Sequence, residues 1–144
     1  MKIRTSMLML AFASAATFTT VTAAPSFAQT AIAAVQLQNQ TFFKKKYRIK
    51  GTWSLVEREG KQFVVFSDDF KTKNGPDLKI FLSPSSADAV NGKNAVNGAL
   101  NLGVLKSNKG AQEYEIPAGT DLTQFSTVLV HCEAYAILWG GGSL

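Results

Sequence analysis

The sequence predicts an all-β domain, a small antiparallel β-sandwich or partly closed barrel, on three observations. Apolar and polar residues alternate at period two through several short segments. Clusters of Gly, Pro and Asn separate those segments at fairly even spacing. No convincing long helical repeat runs through the same region, which removes the layered α/β architectures.

The first strand is expected from Tyr47 to Leu55, with Tyr47, Ile49, Trp53 and Leu55 on one side and a bend at Gly51. Glu57 to Gly60 reads as a turn into a second strand, Lys61 to Phe66, and the two make a hairpin. Asn74-Gly75-Pro76-Asp77 is a turn signature, because Gly tolerates positive φ and Pro stops a helix. Leu78 to Leu82 is the third strand and ends at Ser83-Pro84. Ser85 to Gly98 is a long excursion with one helical turn near Ala87 to Val90. Ala99 to Lys106 and Ala111 to Ile116 are the fourth and fifth strands, joined at Asn108-Lys109-Gly110. Pro117 to Phe125 crosses over, with Asp121 placed to cap a single turn. Thr127 to Cys132 and Ala134 to Trp139 complete the set.

Residues 1–28 are set apart from the fold. Lys2 and Arg4 form a positive start, Met7 to Phe18 is an apolar and small-residue run, and Ser26-Phe27-Ala28 is a small-x-small cleavage site. This pattern is a secretory signal peptide rather than a membrane span, since the apolar run is short and no stop-transfer segment follows. Cleavage after Ala23 is the alternative. The protein is therefore expected to be exported, periplasmic or extracellular, with no transmembrane span after cleavage. Residues 29–44, rich in Ala, Gln and Thr at their start, are expected to be a flexible arm, and residues 45–144 the β domain.

Removing the signal changes the chemical inventory. The formal charge falls from +5 to +3 with the loss of Lys2 and Arg4, and Met1, Met7 and Met9 also leave. One histidine, His131, and one cysteine, Cys132, remain. A free cysteine cannot form an internal disulfide, so stability must come from apolar burial, for which a 46% hydrophobic composition provides the material. Lys44-Lys45-Lys46, Arg48 and Lys50 fall within one short stretch. Export argues against nucleic acid as their partner; a solvated strand entrance or a membrane-surface patch are the two readings that stay open.

Cys132 is the candidate working residue, either as a redox thiol or as a haem thiolate ligand. The competing reading is a small buried hydrophobe within Val128-Leu129-Val130. His131 adjoins it, but neighbouring side chains on a strand point to opposite faces, so only a bulge would unite them. His131 is accordingly read as a surface or hydrogen-bonded residue. A blue-copper site needs two His, c-type haem needs C-x-x-C-H, and clusters need several Cys, so none of these is expected. No metal site is expected, because Asp68, Asp69 and Asp77 lack calcium-loop spacing. No G-x-S-x-G is present, and nothing marks a self-contained enzyme. The Gly140-Gly141-Gly142 tail has no following helix and is not a phosphate loop.

The ordered set Gly51-Thr52-Trp53, Phe70, Gly75-Pro76-Asp77-Leu78-Lys79-Ile80-Phe81-Leu82, Leu102-Gly103-Val104-Leu105-Lys106, Gly110-x-Gln112-x-Tyr114-x-x-Pro117 and Val128-x-Val130-x-Cys132-x-x-Tyr135 resembles the electron transfer DM13 domain family, across residues 45–144. The resemblance implies an extracytoplasmic β-domain, found elsewhere beside DOMON and b-type cytochrome modules, with a role in electron transfer. Its characteristic cysteine falls on Cys132, as a bare thiol or a haem ligand. The expected partner is then a separate redox protein or a cell-surface or envelope protein. The first functional expectation is a redox domain with an accessible Cys132 thiol. The second is a non-catalytic binding or adhesion module with a structural Cys132 and contacts made by Ser85–Gly98. The third is a disulfide-linked dimer through Cys132.

Overall fold

The computed structural model describes residues 37–144. The expected signal peptide, residues 1–28, and residues 29–36 of the expected arm lie outside the described residues. The described residues form a β-sandwich of nine strands in two antiparallel sheets that do not close into a barrel. The strands are β1 (Gln40–Thr41), β2 (Phe43–Lys44), β3 (Thr52–Arg58), β4 (Lys61–Phe66), β5 (Leu78–Ser83), β6 (Leu100–Val104), β7 (Gln112–Ile116), β8 (Thr127–Cys132) and β9 (Ile137–Ser143). One sheet runs β1-β3-β4-β7 and the other β2-β9-β8-β5-β6.

Residues 40–44 differ from the flexible arm expected there. β1 pairs with β3 and β2 pairs with β9, so this short stretch stitches one sheet to the other. Phe42 sits at the crossing and packs edge-on against Phe66 and Phe70, with ring centroids 5.3 and 5.9 Å apart. The first long strand also starts later than expected, because Gly51 takes φ +87° and the chain bends there. It then runs on to Arg58, and the turn contracts to Glu59-Gly60. Both residues have positive φ, as a two-residue hairpin loop matched to strand twist requires.

Trp53, Leu55, Val64 and Phe66 face Ile80, Leu82, Val128, Val130 and Cys132 across the space between the sheets. A second apolar cluster lies on the other face of the five-stranded sheet, where Phe81, Leu129 and Leu138 pack under Val90 and Ala95. The excursion Ser85–Gly98 is thus a cover rather than a free loop. Its turns are held by Val90 N–H donating to Ser86 O (2.9 Å) and Ala95 N–H donating to Asn91 O (3.0 Å). Every residue of β8 is consequently buried. Asp121 caps a single 3-10 turn at Leu122–Gln124, accepting from Thr123 N–H at 3.0 Å, as its position predicts.

The last strand departs furthest from expectation. Glu133–Tyr135 is a 3-10 turn ended by Ala136 in the left-handed region, Tyr135 is exposed, and the strand carries through Gly140-Gly141-Gly142. A side chain at Gly140 would strike the Phe43 carbonyl, and one at Gly142 would enter the Trp53 indole ring. The glycines let strand and indole lie in direct contact, which is a reason for their presence that composition does not reveal.

Candidate functional site

Cys132 is the final residue of β8, in register with Leu78 of β5 and Ile137 of β9. It is 0% exposed and belongs to the inter-sheet cluster that includes Leu78, Val130 and Trp139. Five surface clefts are lined by other residues, and Cys132 contributes to none of them. The sulfur is buried, whereas a redox thiol that exchanges with a partner has to be accessible. An exchange reaction needs an attacking sulfur to reach its target, and burial in apolar surroundings makes a thiol inert. A disulfide to a second copy of the chain has the same requirement.

The haem expectation can be tested on the same residue. A thiolate-ligated haem needs an opening beside the sulfur broad enough for the macrocycle. Here the sulfur lies within a packed two-sheet core, so Cys132 does not fit as a haem ligand in this fold.

His131 occupies the opposite face of β8, as strand alternation predicts. A bulge does occur here, but on the partner strand: Val130 pairs with Gly140 and His131 with Leu138, leaving Trp139 as the extra residue. Alternation along β8 is preserved, and His131 and Cys132 point into different clusters. The histidine is not at the surface. It is 1% exposed, its ring meets Phe81 edge-on at 6.1 Å, and its Nδ1 has no hydrogen-bond partner. The reason is the Ser85–Gly98 cover, which buries the face that would otherwise meet water. Burial holds the His131 pKa below its ordinary 6.5, against the smaller opposing pull of Glu133 and Asp77.

Asp77 and Glu133 meet around Lys79, which pairs with Asp77 at 3.4 Å and closely with Glu133. The Asp77 carbonyl also accepts from Glu133 N–H at 3.1 Å. The Gly-Pro-Asp turn is thus tied to the end of β8, and Gly75 has the Trp139 ring 2.9 Å from where a Cβ would stand. Trp139 Nε1 in turn donates to Lys73 O at 3.0 Å. Tyr114 buries its ring, and its hydroxyl accepts from Lys106 N–H (3.0 Å) and donates to Gln112 Oε1 (2.6 Å). These roles are structural.

The lysine run enters the five-stranded sheet by its backbone: Lys45, Lys46 and Tyr47 donate to carbonyls of Trp139 and Leu138. The cations of Arg48 and Lys50, which follow the run, do not stand by themselves. Lys71, Lys73 and Lys109, distant in sequence, converge with them, which no linear pattern signals.

Fold and site together define a β-sandwich domain with a buried, unpaired thiol closing a central strand. The family model described as Electron transfer DM13 matches residues 41–141. The chain belongs to the electron transfer DM13 family. No curated protein and no solved structure gives a significant match.

Proposed function

We propose that this protein is an exported domain of the electron-transfer family that works by docking on a separate redox protein outside the cytoplasm, with Cys132 a core residue rather than the exchanging group. The observation that carries it is the burial of Cys132 at 0% exposure inside the inter-sheet core. Family membership supports the redox setting, and the signal-peptide pattern of residues 1–28 supports export. The sandwich then serves as a rigid frame whose surface, not its sulfur, meets the partner.

The test is maleimide labelling of the native protein, followed by labelling after denaturation. Cys132 is expected to react only once unfolded. Rapid labelling of the native state sinks the assignment and restores the thiol as the working group. Export is checked separately by N-terminal sequencing of the extracytoplasmic fraction, expected to begin at Gln29.

A further inference from the structure

We infer that one face of the sandwich is a docking site for an acidic protein surface; this rests on the reading just given and names the chemistry of the partner. Lys44 of β2, Arg48 and Lys50 beyond it, and Lys71 and Lys73 between β4 and β5 line two adjoining clefts of about 610 and 380 Å³. Arg48 and Lys50 line both. Isolated bridges place Lys50 opposite Lys71 and Lys71 opposite Lys109. Lys50 N–H donates to Lys71 O at 2.9 Å, and Lys71 N–H donates back to Lys50 O at 3.2 Å.

Directly opposed residues in such a ladder have side chains about 5 Å apart on one side of the sheet, and like charges there are destabilising. All three lysines are exposed. Among the described residues, ion pairs engage Arg58, Lys61 and Lys79 and none of these six cations, of which Lys73 lies over the Tyr47 ring at 4.9 Å. Asp69 lines the larger cleft and accepts from the Ser67 hydroxyl at 2.6 Å, so one negative charge stands against the surrounding cations and leaves the face net positive. A row of uncompensated like charge, assembled by the fold from three separate segments, is a cost that an acidic partner removes.

The surroundings choose the class of partner. A membrane-surface site couples basic residues to apolar side chains that insert. The exposed large hydrophobic residues described are Val104 and Tyr135, and neither lines these clefts. A site for one small anion needs buried donors, whereas the cations here are all on exposed residues. A broad, solvated, cationic face suits the charge-steered, small-area encounter typical of electron-transfer partners.

The experiment measures binding of the purified protein to poly-L-glutamate, to phosphatidylglycerol vesicles and to dextran sulfate over a range of salt. Saturable, salt-weakened binding to poly-L-glutamate is expected. The double variant K50E/K71E should weaken it about tenfold or more, roughly the effect of a modest interfacial charge term. K93E, in the Ser85–Gly98 cover and outside any ion pair, should stay within twofold. Should K50E/K71E not fold by circular dichroism, K50Q/K71Q takes its place and must still weaken binding beyond K93E. Equal binding by wild type and the double variant overturns the proposal. So does binding to vesicles or dextran sulfate without binding to poly-L-glutamate. Either failure leaves the Cys132 labelling result intact, while rapid native labelling would remove the functional reading and leave the basic face standing.

Discussion

Cys132 and His131 are neighbours whose substitutions should behave in opposite ways. Cys132→Ser places a hydroxyl in an apolar core without an evident partner, and should cost about 1–3 kcal/mol. Cys132→Ala leaves only a small void and should cost about 1 kcal/mol, less than the larger truncations that open full cavities. Urea unfolding distinguishes them; a serine variant as stable as wild type would mean the sulfur touches water. His131 acts through protonation. Its folded pKa lies below the ordinary 6.5, so beneath pH 6.5 the unfolded chain binds a proton that the native state resists. Its stabilising contribution is whole above pH 6.5 and is lost as pH falls through that value toward the native pKa, with a slope of at most about 1.4 kcal/mol per pH unit. Glu133 and Asp77 soften this from the outer side, and Lys79 lies in register beside it. His131→Leu should flatten the acid limb of a stability–pH curve and also remove the unpartnered Nδ1. An unchanged limb would show that the ring protonates freely in the folded state.

Among the strands, the glycines make the sharpest contrast. Gly142→Ala would force a methyl group into the Trp53 ring and should cost more than about 3 kcal/mol or abolish folding, as overpacking against a fixed indole does. Gly60→Ala meets nothing within 4 Å and carries only the cost of φ +73°, about 1 kcal/mol. Thermal unfolding of the pair checks the difference; equal losses would mean that the β9–Trp53 contact is looser than described. These positions also show where sequence stops informing. The hairpin β3–β4, the strand β5 after Gly-Pro-Asp and the Asp121 cap are local, and alternation and turn chemistry suffice to find them. The role of Gly142 depends on the Trp53 indole some ninety residues earlier, and that of Gly140 on the Phe43 carbonyl, and no periodicity encodes either. β1 and β2 leave no mark in the sequence because two-residue strands carry no measurable alternation. The burial of His131 leaves none either, because alternation says which face a residue takes, not whether another segment covers that face.

For the molecule as a whole, charge placement decides more than charge total. Neutralising the middle of the Lys50–Lys71–Lys109 row by Lys71→Gln should stabilise the fold by about 0.2–1 kcal/mol, the usual scale of cross-strand charge effects. Added salt should raise the melting temperature of wild type more than that of the variant, because screening relieves the repulsion that the substitution has already removed. A variant less stable than wild type at low salt would show that the row is not repulsive. Five basic residues between Lys44 and Lys50 are visible in the sequence; the meeting of Lys44, Arg48 and Lys50 with three further lysines is a property of the fold alone.

The place of β9 has a consequence for how the protein is made. This strand is the closing stretch of the described chain, yet it lies inside its sheet, between β2 and β8. While residues 137–143 are still being made, the two strands that flank them have nothing between them. The five-stranded sheet is therefore completed only once β9 is available to fill the gap. A polypeptide interrupted before Ile137 leaves the facing edges of β2 and β8 unpaired, the kind of open strand edge that invites aggregation.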